Sequence, residues 1–363
     1  MITHELKFSV RQLADQDNHV QTRLPASPQL QRGEPARQVS GSEIMSKYSQ
    51  EFNTLNYVIN ESSEILLFAH SRPDSDTIGS VLALREYILA LGKNVAIACA
   101  DPYPDYLKDL APDYFEFPDH LDLEKYNLVI ATDSVERGFQ KIYPIFKENQ
   151  IIALLDHHPD ITLKGDINII DPKYSSVCEI IYDFFEFNKI KITRPIATFL
   201  MLGILGDTGN FQHSNTTSRV LEIASVLMKK GAPITKIISI AFSNKNISAL
   251  KLWGKAFEKA RINPENGMIA SFISEKELAE CGGNLEDIAQ VSTILNSVPG
   301  TKFALVLSER GDGIIKGSLR SEEYKGVDVS RIAAQFGGGG HRLASGFEIK
   351  GKIVETAEGW QIV

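Results

Sequence analysis

From about residue 50 the chain alternates between short unbroken apolar runs and longer segments with helically spaced apolar positions. "ILLFAH", "NVAIACA", "NLVIATD" and "IIALLD" are continuous apolar runs, the pattern of strands buried on both faces. "TIGSVLALREYILALG" has helical spacing and closes on Gly92, a C-terminal stop. "SVCEIIYDFFEFN", "PIATFLMLGILGDTG" and "TTSRVLEIASVLMKKG" read as further helices. Strand-helix alternation predicts an α/β domain: a mostly parallel, doubly wound sheet with helices on both faces.

Near residue 235 the alternation gives way to a helical connector over 235–261, so the α/β domain is expected over 45–234. The remainder, 262–363, reads as a smaller α+β domain. "MIASFIS" is a strand and "LEDIAQVSTILNSV" a helix. "KFALVLSERGDGIIKGSLRS" is a hairpin turning at Arg310-Gly311-Asp312-Gly313. "DVSRIAAQF" is a helix, followed by "GGGGHRLASG" and a last strand, "FEIKG". An active site is expected in the cleft between the two domains.

The first 44 residues break the pattern. They are rich in Gln, Arg, Pro and Ser and show no periodicity. Such a segment buries too little apolar surface to offset its ordering entropy, so 1–44 reads as a disordered extension, or as sequence upstream of a start at Met45. The whole chain has 363 residues, is 43% hydrophobic and carries a net charge of -8. That charge argues against a general nucleic-acid coat and leaves room only for a local basic groove. Cys99, Cys178 and Cys281 are too scattered for a metal pair or a disulfide framework, so a reducing cytoplasm is expected. No apolar run approaches the roughly 20 residues of a membrane helix.

Three apolar runs end in the same chemistry. "ILLFAH" leads to His70 and then Asp74 and Asp76; "NLVIATD" ends at Asp133; "IIALLD" ends at Asp156, followed by His157 and His158. The carboxyl ends of parallel strands share one edge, where ligands bind, so these groups are expected on one rim. Asp207, in "GILGDTGNF", is a further acid after an apolar helix. An aspartate after a strand is often only a helix cap, and a single histidine is often a satisfied core residue. The ensemble resists that reading. Carboxylates crowded at one rim repel and raise one another's pKa unless a cation sits among them. Carboxylates with some imidazole favour Mn²⁺ or Mg²⁺ over a structural zinc, and the number of ligands favours two ions, a recurring device for phosphoryl hydrolysis.

"HSRPDSDTIGS", "TDS", "DHH" and "GILGDTGNF", in that order, resemble the four motifs of the DHH phosphoesterase superfamily. "GGGGHRLASG" resembles the glycine-rich signature of its associated C-terminal domain. Chain length and the GGGGH form are most similar to the nanoRNase/pAp phosphatase branch. The resemblance implies hydrolysis of short single-stranded oligoribonucleotides to mononucleotides, and of 3′-phosphoadenosine 5′-phosphate (pAp) to AMP. It implies two divalent ions, Mn²⁺ first, with Mg²⁺ or Co²⁺ as alternatives. His70, Asp74 and Asp133 match the ligands of one ion; Asp76, Asp133, His157 and Asp207 match those of the other. Asp156 and His158 match the surrounding shell and the phosphate contacts.

In the second domain, Arg320 and Ser321 end a hairpin strand, and Arg suits bidentate phosphate contact. Gly338, Gly339 and Gly340 expose backbone N–H groups that can cradle a phosphate, and His341 can donate to one. With the resemblance, these six form an expected substrate-holding wall. The alternatives are a surface salt bridge for Arg320 and a plain linker for the glycines. At the level of function the alternatives are a cyclic or linear dinucleotide phosphodiesterase of the c-di-AMP or pGpG type, and a non-catalytic nucleotide-binding protein. No missing ligand favours the last. A membrane partner is not expected, and a homodimer is compatible with the chain.

Overall fold

The computed structural model describes residues 47–159, 161–241, 246–283, 288, 290–356 and 359–363. The extension read over 1–44 lies outside the described residues. The chain divides near residue 244 into two compact units.

The first unit is built on a six-stranded sheet, all parallel: β1 (Glu64–Phe68), β2 (Asn94–Ala98), β3 (Phe115–Glu116), β4 (Leu128–Thr132), β5 (Ile151–Asp156) and β6 (Ile167–Ile170). Their spatial order is β3-β2-β1-β4-β5-β6. The order reverses between β1 and β4, and such a switch point opens a crevice at the carboxyl ends of the strands. Continuous apolar runs make sense here because both faces are covered. Ile65 and Leu67 of β1, Leu128 and Ile130 of β4, and Ala153 and Leu155 of β5 pack into one core. Leu66 and Phe68, Val129 and Ala131, and Ile152 and Leu154 pack into the other. Each fully buried Leu, Ile or Phe side chain stabilises by about 1.5–3 kcal/mol.

The first face carries the long helices: α1 (Ser49–Glu61), α2 (Ser75–Ala90), α3 (Val177–Phe187), α4 (Arg194–Asp207) and α5 (Ser218–Lys229). The opposite face is closed by short helical turns whose side chains include Val135, Phe139, Ile142 and Tyr143. Helices α2 and α4 meet along glycines. A Cβ on Gly79 would stand 2.4 Å from the Phe199 carbonyl oxygen, and one on Gly203 would stand 2.2 Å from Cys178 Sγ and 2.6 Å from Asp76 Oδ1. Close approach of the two helices thus fixes where Asp76 and Asp207 sit.

The stretch read as a connector contains two helices. Ile234–Ala241 packs into the first unit through Ile237, and Ile247–Glu258 packs into the second through Leu252 and Ala256. The second unit holds another six-stranded sheet, of β7 (Arg261–Ile262), β8 (Met268–Ile273), β9 (Phe303–Arg310), β10 (Ile314–Arg320), β11 (Gly339–His341) and β12 (Ala344–Lys350). Its order is β11-β12-β10-β9-β8-β7, antiparallel except for β8 with β9. Of the expected helix over residues 285–298, Val291–Asn296 is helical among the described residues. The strand read as the last, β12, is followed by a small hairpin of β13 (Ile353–Thr356) and β14 (Gly359–Ile362). No helix among the described residues is long and apolar enough to cross a membrane.

Candidate metal centre

His70, Asp133 and Asp156 stand at the carboxyl ends of β1, β4 and β5, at and beside the switch point. Asp74 caps α2: its Oδ1 accepts from the backbone N–H groups of Asp76 and Thr77 at 3.2 and 3.1 Å. The helix cap is therefore Asp74. Asp76 lies one residue inside the helix, fully buried, and accepts the N–H groups of Val177 at 2.6 Å and Cys178 at 3.0 Å. It ties the start of α2 to the start of α3, where the helix dipole favours a carboxylate. Asp207 ends α4.

Asp133 sits with φ +53, a left-handed conformation uncommon for a residue with a side chain. Its N–H donates to the Leu155 carbonyl at 3.0 Å, continuing the β4–β5 ladder, and Thr77 Oγ1 donates to its Oδ2 at 2.7 Å. The turn places the carboxylate at the centre of the cluster. His70 Nε2 lies 3.5 Å from Asp133 Oδ2 and 3.3 Å from Asp74 Oδ2. His157 Nε2 lies 3.0 Å from Asp207 Oδ2 and 3.8 Å from Asp133 Oδ1. His158 Nδ1 lies 2.8 Å from Asp156 Oδ1 and 3.4 Å from Asp133 Oδ1.

Second contacts orient the rings. His70 Nδ1 faces the Ser71 carbonyl at 2.7 Å, and His157 Nδ1 faces the Tyr174 carbonyl at 3.3 Å. An Nδ1–H donated to a carbonyl leaves the Nε2 lone pair for a cation, the usual arrangement of a metal-bound imidazole. Asp156 fixes His158 twice, accepting both its backbone N–H at 3.0 Å and its ring Nδ1–H. Below His157, Tyr174 donates to Asp183, and Arg219 pairs with Asp183 and with Glu179, whose other oxygen accepts from Ser175. This buried network holds the segment that supplies the Tyr174 carbonyl.

The electrostatics show the strain of crowding. Burial, with the charges of Asp207 and Asp133, raises the Asp76 carboxyl well above the usual range. Burial likewise lifts Asp207 to about 6, against the contact with His157. Burial works against the charged form of His70, yet its contacts with Asp133 and Asp74 raise it to about 9. His157 rises to about 10 against burial, chiefly through Asp207. Asp74 is held far below the usual range despite burial, by His70 and Arg137. The carboxylates push both imidazoles toward their charged form, and a divalent cation among these groups would supply the same compensating charge.

Two buried atoms, His70 Nε2 and Asp133 Oδ1, have no hydrogen-bond partner among the described residues. Unpaired buried polar atoms are costly, and here both point at the cluster. Three sets offer ligand atoms mutually within 4.8 Å and could hold an ion: His70 with Asp74 and Asp133; Asp76 with His157 and Asp207; and Asp133 with His157 and His158. Asp133 belongs to two of them. The donor set, oxygen-rich with imidazole, fits a hard or borderline divalent ion.

Sequence reading did not find Arg137 or Thr77. Arg137 Nη1 lies 3.0 Å from Asp74 Oδ2 and 3.3 Å from Asp133 Oδ2. It reaches them through an irregular turn in which Gly138 takes φ +133. Its position four residues after Asp133 was the only available signal.

The residues read as a substrate wall lie in the second unit. Arg320 and His341 both pair with Ala344, so β10, β12 and β11 bring them to one rung and one face of the sheet. Arg320 donates to the Leu319 carbonyl at 2.8 Å and has no carboxylate partner among the described residues. Ser321 is buried and donates to the Lys302 carbonyl at 3.0 Å. The Gly338 N–H donates to the Ala333 carbonyl at 3.0 Å, ending the preceding helix. A Cβ on Gly338 would meet the Gly346 carbonyl oxygen at 2.2 Å, whereas one on Gly339 would meet nothing within 4 Å. The first glycine is thus demanded by packing, the second by nothing in its own surroundings.

Residues 64–204 match the DHH family, N-terminal domain, and residues 266–360 match the DHHA1 domain. The bifunctional oligoribonuclease and PAP phosphatase NrnA of Thermus thermophilus is 30% identical over 81% of this chain and 86% of that protein. The protein of the same description from Bacillus subtilis is 31% identical over 78% of this chain and 89% of that protein. The cyclic-di-AMP phosphodiesterase GdpP of Geobacillus thermodenitrificans is 25% identical over 84% of this chain but only 48% of that protein. The crystal structure of an exopolyphosphatase-related protein from Bacteroides fragilis superposes with a TM-score of 0.77 over 84% of this chain and 92% of that one, at 22% identity, a likeness of fold. With both domains matched in sequence and the histidine–aspartate cluster at the switch point of the first, the chain belongs to the DHH family of phosphoesterases.

Proposed function

We propose that the protein is a metal-dependent phosphoesterase of the cytoplasm that hydrolyses short oligoribonucleotides to mononucleotides and pAp to AMP. The observation that carries the chemistry is the convergence of His70, Asp74, Asp76, Asp133, His157 and Asp207, with two buried donor atoms left unpaired. The substrate class is supported by relatives about 30% identical over most of both chains that are named for these two activities.

In this reading residues 45–234 are the catalytic domain, 235–261 the connector and 262–363 the substrate-holding domain. His70, Asp74 and Asp133 would hold one divalent ion, and Asp76, Asp133, His157 and Asp207 would hold the other. Bound there, two such ions, Mn²⁺ for choice, would supply Lewis acidity toward a phosphoryl oxygen and lower the pKa of a bound water. The protein's own groups do the rest. The Ser71 and Tyr174 carbonyls keep His70 and His157 in the tautomer that presents Nε2. Asp156 holds His158, which donates to a phosphate oxygen of the substrate. Arg320, His341 and the Gly339–Gly340 backbone hold a second part of the substrate, away from the bond that is cut, while Ser321 and Gly338 shape that wall through their bonds to the Lys302 and Ala333 carbonyls.

The test is digestion of end-labelled RNAs of two to ten nucleotides, with pAp and cyclic di-AMP in parallel, in Mn²⁺ and in EDTA. Rapid cleavage of the shortest RNAs and dephosphorylation of pAp, both abolished by EDTA, are expected. Turnover of cyclic di-AMP alone would overturn the reading in favour of a dinucleotide phosphodiesterase.

A further inference from the structure

Beside the metal cluster, within the first unit, lies a cavity of about 700 Å³, the size of pockets that take a nucleotide. Its lining includes Arg72, Arg137 and Lys141 against a single carboxylate, Glu136. That carboxylate is already engaged, its Oε1 accepting from the N–H and hydroxyl of Thr162 at 3.1 and 3.2 Å. Among the described residues, neither the Arg72 guanidinium nor the Lys141 ammonium has an ion-pair partner, and both residues are exposed. The Arg72 backbone is held at φ +55, its N–H donating to Asp101 Oδ2 at 2.7 Å, so this side chain springs from a fixed point. Phe68, Pro118 and Ile142 give the cavity an apolar side suited to a sugar or base.

The cavity and the cluster share a wall. Arg137 lines the cavity and also touches Asp74 and Asp133, and Ser71 follows His70 directly. A divalent cation on those carboxylates would satisfy them and release the Arg137 guanidinium toward an anion in the cavity.

We propose that this cavity is a second nucleotide subsite, in which Arg72, Lys141 and Arg137 hold the phosphate of a nucleotide flanking the scissile bond. The inference rests on the short-oligonucleotide reading and deepens it. pAp carries only one phosphate besides the one removed, and in that reading Arg320 holds it. A trinucleotide has phosphates on both sides of an internal position and has use for a second anchor. The cavity therefore sets how far the enzyme favours chains longer than pAp.

The test uses Arg72→Ala/Lys141→Ala, two exposed side chains outside the metal cluster, each single variant, and Lys276→Ala as a charge control. With Mn²⁺ saturating, kcat/KM is measured on pApApA and on pAp. The ratio of the two is expected to fall about tenfold or more in the double variant and to stay within twofold in the control. In parallel, binding of pApApA is measured in EDTA at low salt, where no turnover occurs, and the double variant is expected to bind at least tenfold more weakly. An unchanged ratio with unchanged binding would overturn the subsite. Should the wild type turn over neither substrate, the proposed function fails, while the binding measurement still decides whether the cavity takes the oligonucleotide.

Discussion

His70 Nε2 and Asp133 Oδ2 stand 3.5 Å apart across the tips of β1 and β4, strands that are neighbours in the sheet but about sixty residues apart in the chain. Neither the imidazole Nε2 nor the other Asp133 oxygen has a hydrogen-bond partner among the described residues. A lone pair facing a carboxylate is repulsive until a proton or a metal ion stands between them.

Asp133→Asn is the sharpest test of that reading. Asparagine tolerates the left-handed backbone that φ +53 requires and keeps the shape of the side chain, while removing the charge shared by two ligand sets. The variant is expected to fold with an unchanged far-ultraviolet spectrum and to lose phosphodiesterase activity by about a hundred- to a thousandfold, the range in which loss of a principal electrostatic group falls. Activity within tenfold of wild type under saturating Mn²⁺ would count against Asp133 as the bridging ligand.

Helix packing gives an independent handle on the same site. Gly203→Ala would drive a methyl onto Cys178 Sγ and Asp76 Oδ1. It should cost about 1–3 kcal/mol by overpacking and displace a ligand. Gly254→Ala, with nothing within 4 Å in an exposed helix, should stabilise by about 0.4–1 kcal/mol. Urea unfolding of both variants beside their activities checks the pair. If Gly203→Ala unfolded like wild type and kept full activity, the α2–α4 seam would not be what positions Asp76.

The strands bearing the site were legible in the sequence because a strand buried on both faces is free of ionisable side chains along its apolar run, so the first ionisable residue after that run marks its tip. That is how His70, Asp133 and Asp156 showed themselves. The two-residue β3 and the four-residue β6 were too short to show a pattern. β13 and β14 alternate weakly beyond the glycine at residue 351. Arg137 was illegible for another reason: an irregular turn carries it to the ligands, and such a turn has no period to read. The packing demand on Gly79, whose Cβ would stand 2.4 Å from the Phe199 carbonyl oxygen, likewise has no sign in helical spacing alone.

Arg219 tests the support beneath His157. Its guanidinium is mostly buried and faces two buried carboxylates, Asp183 and Glu179. Arg219→Ala leaves both without their counter-charge and should destabilise by about 3–5 kcal/mol. Denaturant unfolding measures this. A loss below about 1 kcal/mol would mean that the network contributes little to holding the Tyr174 segment.

Arg320→Ala separates substrate holding from chemistry. Loss of one charged contact is worth about 1.5–3 kcal/mol, or about ten- to a hundredfold in kcat/KM. The loss should be large on pAp and dinucleotides and distinctly smaller on bis(p-nitrophenyl) phosphate, which has no second phosphate to hold. Equal losses on all three would place Arg320 at the scissile phosphate or in folding.

The most direct measurement of the central claim is phosphate release from pAp by metal-stripped protein as Mn²⁺ is added back. The account predicts no release in EDTA, recovery to the full rate as two ions bind per chain, and no recovery in Asp133→Asn. Release that persists in EDTA, or that recovers equally in Asp133→Asn, would contradict a phosphoesterase built on two ions sharing Asp133.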